Sequence, residues 1–276
     1  MWLSRRRRAA GRRECEALAS SSAAAPRSGS LPVLTLKMSR SSIAVGGQKV
    51  SSAVTVRSTV SGERRGTAIL VRLNQGVSYA QFFKVLQKAA KDPNAAQLVG
   101  AIVFDYTTSK GHTTNVQTVL RPARYAALDV AGKGAPRIAK FTVTKSSSPA
   151  KLPAAAATTK AIEFGFRGST TLKVGTRVRS INEGWLVHMN DFQGVKSAMA
   201  GRKVVRLLRA GKPFKQIRPY LTSSFFELFG PVSHGAVQQQ VLRAKPGYYV
   251  EACFMDTQDG REHTQLGMER LVRVVK

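Results

Sequence analysis

Two runs of short alternating segments, one on each side of a small-residue stretch, constrain what this chain can fold into. Residues 146–160, Ser-Ser-Ser-Pro-Ala-Lys-Leu-Pro-Ala-Ala-Ala-Ala-Thr-Thr-Lys, carry no amphipathic face and read as a linker. Before it come Val33–Met38, Ile43–Gly47 and Ala53–Arg57; after it come Ala161–Phe166, Thr171–Gly175 and Thr176–Ile181. Period-2 alternation bounded by glycine marks half-buried strands. Each half then inserts helical material. Tyr79, Phe82, Phe83 and Leu86 share one helical face behind a Ser78 N-cap. Val204, Val205, Leu207 and Leu208 suit a basic helix ending near Gly211, and Phe214, Ile217 and Leu221 a further turn. Phe225, Phe226, Leu228 and Phe229 read as core or as packing between the halves. Each half closes on two strands, Arg124–Val130 with Ile138–Val143, and Tyr248–Phe254 with Met268–Val275. Arg121-Pro122-Ala123-Arg124-Tyr125 lies where Lys245-Pro246-Gly247-Tyr248-Tyr249 lies. The expectation is an internally duplicated all-β chain: two tandem Greek-key β-sandwiches with short helical insertions, at 32–145 and 161–276.

At 276 residues each half is long enough to bury its own core. No run approaches the ~18–20 apolar residues that span a bilayer, so no transmembrane segment is expected. The net charge of +29, from 44 Lys and Arg against 15 Asp and Glu, predicts association with anionic surfaces, either a cell envelope or nucleic acid bound non-specifically. Zinc-finger spacing, an RNP-like aromatic motif and a recognition helix are all missing, which argues against base-specific recognition. There is no Gly-x-Ser-x-Gly elbow, no P-loop and no carboxylate pair set out for acid/base work, so an enzyme is not expected. Residues 1–31, rich in Arg, Ala and Ser, read as a disordered basic segment without the apolar core that export requires. Cys15 falls there, so a disulfide with Cys253 is not expected.

The chemistry concentrates in the last third. Asn182-Glu183-Gly184-Trp185-Leu186-Val187-His188 comes first, then Pro246-Gly247-Tyr248-Tyr249-Val250-Glu251-Ala252-Cys253, then His263 and Met268. Two imidazoles, a thiolate and a weak thioether are the ligand set of an electron-transfer copper site. The first half carries Asp129 at the position of Cys253, its closing hairpin has no His or Met, and 62–68 offers no counterpart of His188. Only the second half could hold such a site. Each residue also has a plainer reading: His188 as a hydrogen-bonded strand end, Cys253 and Met268 as core, and His263 as solvent-exposed beside a hairpin. His112 and His234 read as surface or loop residues.

These segments resemble the cupredoxins, the plastocyanin-type blue-copper family, over 161–276. The resemblance rests on Asn-x-Gly-x-x-x-His ending at His188, on Pro-Gly-Tyr-Tyr-Val-Glu-Ala-Cys, and on His-x4-Met at 263–268. The whole chain is similar to the double cupredoxin-like proteins of actinobacteria. That resemblance implies His188, Cys253 and His263 as strong ligands of one copper ion and Met268 as the weak axial one. It also implies electron transfer or copper handling with a redox partner protein, outside the cytoplasm. One departure stands out. Familiar sites place the second His a few residues after the Cys, whereas nine residues, Phe254 to Glu262, intervene here. Asp259-Gly260 is a strong hairpin signal. A regular hairpin centred on it predicts Asp256 opposite His263, with Cys253 about 10 Å away at ~3.3 Å per residue. Two readings stay open: a copper protein, and a metal-free structural or binding module that associates through its basic surface.

Overall fold

The alternating segments of the first half form β1 (Val33–Met38), β2 (Ile43–Gly47), β3 (Ser52–Val60), β4 (Arg65–Leu73), β5 (Gly100–Ser109), β6 (Thr113–Leu120), β7 (Ala123–Asp129) and β8 (Arg137–Val143). Helix α1 (Tyr79–Ala89) and a 3₁₀ turn (Pro93–Leu98) lie between β4 and β5. The second half forms β9 (Ala157–Ile162), β10 (Gly165–Gly168), β11 (Thr171–Lys173), β12 (Arg177–Asn182) and β13 (His188–Val195). Helices α2 (Ala198–Arg209) and α3 (Phe214–Ile217) follow, then β14 (Leu221–Val232), β15 (Val237–Val241), β16 (Gly247–Ala252) and β17 (Glu269–Val275). The structure is a computed structural model that describes residues 30–89, 93–131 and 134–276. Apart from Ser30 and Leu31, the N-terminal segment expected to be disordered lies outside the described residues, and so does Cys15. Among the described residues no helix is long and apolar enough to cross a membrane.

The duplication is explicit in the sheet orders. In the first half β2-β1-β3-β6 faces β5-β4-β7-β8; in the second β10-β9-β12-β15 faces β14-β13-β16-β17, with β11 added at the far edge. β1 runs parallel to β3, and β9 parallel to β12. The chain changes sheet between β3 and β4 and returns between β5 and β6, the crossing that makes a Greek key, and the second half repeats it. Both helical insertions occupy the same step, between β4 and β5 and between β13 and β14. The matched pentapeptides serve one purpose. Tyr125 donates its phenol O–H to the Arg121 carbonyl at 2.9 Å, and Tyr249 donates to the Lys245 carbonyl at 2.8 Å. Each buried ring thereby fills the core while its one polar atom finds a partner four residues back. The chain is all-β, two tandem Greek-key sandwiches with short helical insertions, as expected.

Local signals set the helices. Ser78 and Gln81 form a capping box: the Gln81 N–H donates to Ser78 Oγ at 3.2 Å, and the Ser78 N–H donates to Gln81 Oε1 at 2.7 Å. Ser197 caps α2 by accepting from the Ala200 N–H at 3.1 Å. One expected strand is broken. Ala161–Phe166 reads as continuous alternation, but β9 and β10 pair antiparallel across a two-residue turn at Glu163 and Phe164, with Phe164 at φ 52°. Tertiary contacts described below, rather than local periodicity, hold that turn.

The halves share one sheet. β15 pairs with β6 through Gln238↔Thr118 and Gln239↔Gln117, giving the continuous order β10-β9-β12-β15-β6-β3-β1-β2. Three consecutive glutamines make the seam. Gln238 Oε1 accepts from the Asp105 N–H at 2.8 Å, Gln239 donates to Gln117 Oε1 at 2.8 Å, and Gln240 Oε1 accepts from the Tyr106 hydroxyl at 2.9 Å. Glu227 Oε1 takes the Thr107 N–H at 2.6 Å. The free edge of β5, which would otherwise present unpaired N–H groups, is thus closed by second-half side chains. An apolar cluster crosses the same seam, joining Val71, Leu73, Phe82 and Leu128 to Val187, Phe229, Cys253 and Met268.

Two buried carboxyls, Asp105 and Asp191, and the half-buried Glu227 lie along this seam. Burial, reinforced by Glu227 and Asp191, drives Asp105 well above its ordinary range; burial and Glu227 push Asp191 up to about 8; burial pushes Glu227 up to about 7. The folded chain therefore holds protons that the unfolded chain releases near 4 to 5. Stability is fully present below the unfolded values and is lost as pH rises toward the folded ones. The urea midpoint is expected to fall between about pH 5 and about pH 8, by a loss on the order of 2 kcal/mol or more. Asp191→Asn with Glu227→Gln is expected to flatten that slope; an unchanged slope in the double variant would remove Asp191 and Glu227 as its source.

Candidate metal centre

Strand β13 delivers His188, and the segment before it is preset by its own side chains. Asn182 donates from Nδ2 to the Leu186 carbonyl at 2.9 Å and the Val232 carbonyl at 2.7 Å, and its Oδ1 accepts from the Gly184 N–H at 2.9 Å. The first half contributes here too, because Asn94 Oδ1 accepts from the Val187 N–H at 2.8 Å. Cys253 follows β16 directly. Its Sγ accepts from the Met189 N–H at 3.3 Å, and its own N–H donates to the Met268 carbonyl at 3.1 Å.

The loop after Cys253 is not a regular hairpin, and the expected separation of about 10 Å does not occur. Asp256 bridges Glu262 rather than His263, one residue out of the predicted register. The His263 N–H then returns to the Met255 carbonyl at 2.8 Å, and a 3₁₀ turn, His263–Leu266, starts at that point. Gly267, at φ 108°, reverses the chain so that the Met268 N–H reaches the His263 carbonyl at 3.0 Å. His263 is thereby folded back under the strand end.

The result is a closed cluster. His188 Nδ1 lies 3.1 Å from His263 Nδ1, His263 Nδ1 lies 3.3 Å from Cys253 Sγ, and Cys253 Sγ lies 3.8 Å from His188 Nδ1. All three residues are fully buried. Among the described residues they are the group of His, Cys, Asp and Glu side chains set to hold a metal ion, with ligand atoms within 4.8 Å of one another. Met268, also fully buried, packs in the same apolar cluster as Cys253. Trigonal bonds of ~2.0 Å to nitrogen and ~2.3 Å to sulfur give ligand–ligand edges of roughly 3.5–3.8 Å, close to the observed triangle.

Electrostatics keep the cluster neutral. Burial, with help from His263, lowers His188 to about 4 against the pull of Glu163, and burial lowers His263. Burial raises the Cys253 thiol to about 12. Neutral imidazoles have lone pairs available for a cation, and a bound cation would displace the thiol proton.

Glu163 is the residue that sequence reading missed. It sits in the turn between β9 and β10, where its Oε1 accepts from the Trp185 N–H and, at 3.0 Å, from the Leu186 N–H. Burial acts to raise its pKa, yet those N–H groups and His188 hold it below the ordinary range. The same oxygen lies 3.6 Å from His188 Nε2. A Cβ on Gly184 would stand 2.6 Å from that Nε2 and 2.7 Å from the carboxylate, so only glycine admits the approach. Phe164, beside Glu163, sets its ring edge-on to His263 with centroids 5.2 Å apart. No local motif announces this turn; the sole trace is the glycine of Asn-x-Gly. His234 is exposed as expected, stacked on Trp185 at 4.9 Å, and His112 lies exposed in the β5–β6 turn.

The first half fills the equivalent place with an ion pair. Asp129 Oδ1 accepts from the Thr67 N–H at 3.0 Å, as Cys253 Sγ does from Met189, and Asp129 lies opposite Arg137 where Cys253 lies opposite Met268. Arg137 Nη2 stands 2.8 Å from Asp129, and Glu63 completes the cluster. Gly66 takes the position of His188, and a Cβ there would meet Val60 at 2.5 Å and Met38 Sδ at 2.8 Å. Seven residues separate Asp129 from Arg137, against fourteen between Cys253 and Met268, so the segment that carries His263 has no counterpart.

No protein-family model matches the sequence, and no curated protein matches it. Among solved structures the chain is similar to dithionite-reduced auracyanin of Roseiflexus castenholzii, at 15% identity over 43% of this chain and 95% of that one, with a TM-score of 0.25. It is similar to auracyanin B at 19% identity over 46% and 94%, TM-score 0.28. It is also similar to the copper-containing nitrite reductase of Thermus scotoductus SA-01, at 13% identity over 88% and 67%, TM-score 0.26.

Gly184→Ala is expected to push Glu163 and His188 apart and to weaken metal binding at least ~100-fold, while Glu163→Gln weakens it ~10–100-fold. Calorimetric titration with Cu(II) checks both, with circular dichroism to verify the fold. Wild-type affinity in Gly184→Ala would show that the Glu163–His188 contact is immaterial.

Proposed function

We propose that the chain binds one copper ion through His188 Nδ1, His263 Nδ1 and Cys253 Sγ, with Met268 as a weak axial ligand, and serves in single-electron transfer or copper handling. The observation that carries this reading is the closed triangle of two imidazole nitrogens and one sulfur, with edges of 3.1, 3.3 and 3.8 Å. Soft sulfur together with imidazole favours copper among biological metals, and the ion would supply a one-electron couple.

The hydrogen-bond balance accommodates a bound cation. In a metal-free cluster one Nδ1 must carry the proton between the rings. If His188 carries it, the bare Nε2 lone pair faces the Glu163 carboxylate 3.6 Å away, a repulsive contact. If His263 carries it, His188 is protonated at Nε2 and faces Glu163 favourably, while the bare His263 Nε2 is buried without a partner. With both Nδ1 lone pairs engaged by a cation, the His188 proton moves to Nε2 and faces Glu163 favourably, the carboxylate–imidazole arrangement common around metal ligands. Burial on every side excludes water and limits the change in geometry between oxidation states. The Met189 N–H, aimed at Cys253 Sγ, stabilises the thiolate form.

In this reading the protein is not an enzyme, and its first half is a scaffold that contributes Asn94 and part of the apolar wall. A second reading, the metal-free module, draws on Asp129 and Arg137: the same frame already survives without ligands in the first half.

Protein titrated with Cu(II) is expected to develop an intense thiolate-to-copper band near the red end of the visible spectrum. Cys253→Ser should abolish the band, and His188→Ala and His263→Ala should abolish stoichiometric binding. Met268→Leu should keep the band and raise the reduction potential. A folded, copper-titrated sample without the band would leave the metal-free module standing.

A further inference from the structure

Between Asp191 and Glu227 the chain has no acidic residue but eight Lys or Arg, all exposed. Arg202, Lys203 and Arg206 lie on α2, and Lys212, Lys215 and Arg218 continue past its end. Of the eight, only Arg209 has a carboxylate partner among the described residues, Glu269 at 2.6 Å. The face cannot rotate inward. Ala200, Gly201 and Val204 are buried, and Gly201 lies so near Leu271 that a Cβ would come within 2.3 Å of it. The last turn of α2 rests on the ligand loop, since Arg209 pairs with Glu269, the residue after Met268. Gly211 lies against the Gln265 side chain in the 3₁₀ turn that begins with His263.

Such a helix works against itself when alone. Arg202 and Arg206 are four residues apart, and Lys203, Arg206 and Arg209 follow at intervals of three, the spacings at which like charges destabilise a helix. An anionic surface laid over the helix would relieve that repulsion. We propose that the outer face of α2, continued by the α3 turn, docks an acidic protein that exchanges electrons with the centre beneath the helix end. This rests on the copper reading above. A protein fits better than a bilayer, because the apolar face of α2 is buried in its own domain and cannot enter lipid as an interfacial helix does. Exposed Met199 and Phe214 lie among the cations in the chain, giving the apolar spots within a charged surface that protein interfaces use. Cations massed on one face also speed encounter with an acidic partner.

The test compares R202Q/K203Q/R206Q/K212Q with a control, K37Q/K110Q/K145Q/K151Q, which removes four exposed lysines elsewhere. Metal-free protein is titrated with a labelled polyglutamate peptide, a DNA duplex and phosphatidylserine vesicles at low salt. Peptide affinity is expected to fall about tenfold or more in the α2 variant and less than about threefold in the control. Thermal midpoints should be unchanged or raised in the α2 variant, as relief of like-charge pairs requires. In copper-loaded protein, hexacyanoferrate(III) is reduced to hexacyanoferrate(II) as Cu(I) becomes Cu(II). That oxidation should slow by a similar factor in the α2 variant at low ionic strength and converge with wild type at high salt. Equal losses in the two variants overturn the assignment. So does an α2 variant that loses DNA or vesicle binding while keeping the peptide. An absent copper band overturns the centre alone, because the peptide arm uses metal-free protein and decides the face independently.

Discussion

Two imidazole nitrogens 3.1 Å apart in a dry pocket cannot both carry protons, and neither has water to turn to. That constraint organises much of the second half. It requires a partner for the outer nitrogen of His188, and Glu163 stands within reach only because the chain breaks β9 from β10 at a left-handed Phe164 and keeps position 184 free of a side chain. It also requires His263 to arrive from the side, so the loop after Cys253 abandons hairpin geometry for a 3₁₀ turn closed by Gly267. A burial problem in three side chains has fixed the backbone of three separate segments.

The first half shows what the same frame does without that problem. Asp129 receives the strand N–H that Cys253 receives in the other copy, and Arg137 sits where Met268 sits. A guanidinium there supplies fixed positive charge, bonded to Asp129 and Glu63 and needing no cofactor. Two solutions to one buried polar position thus coexist in a single chain, both hung on matching tyrosines that tie each closing strand to the residue four places earlier.

Much of the fold was legible because its signals are local. β1 and β2 match the expected spans, the capping box at Ser78 marks α1, and the paired Pro-containing pentapeptides announce the repeat. The candidate site was legible in its residue types: His188, Cys253 and His263 were identifiable from their local motifs. Their convergence was not, because it depends on a one-residue shift at Asp256 and on a turn whose 3₁₀ character leaves no periodic trace. Glu163 was invisible for a related reason. Its role arises from a tertiary approach to His188, and in sequence it reads as one polar position of an alternating strand. The glutamines of β15 passed unnoticed because amides at successive positions have no period, and their partners lie more than a hundred residues away.

The seam built by those glutamines has a consequence for what each copy is on its own. Severed in the 146–160 segment, the N-terminal piece would keep its ion pair but bare the flank of β5, while in the C-terminal piece three amides would each lose a partner, as would the Val187 N–H that Asn94 holds beside His188. Neither fragment would be a finished object. Duplication usually leaves two tenants able to live apart. Here it has ended in joint custody of one pocket, so that damage to the silent copy would be felt at the His–Cys–His cluster of the other.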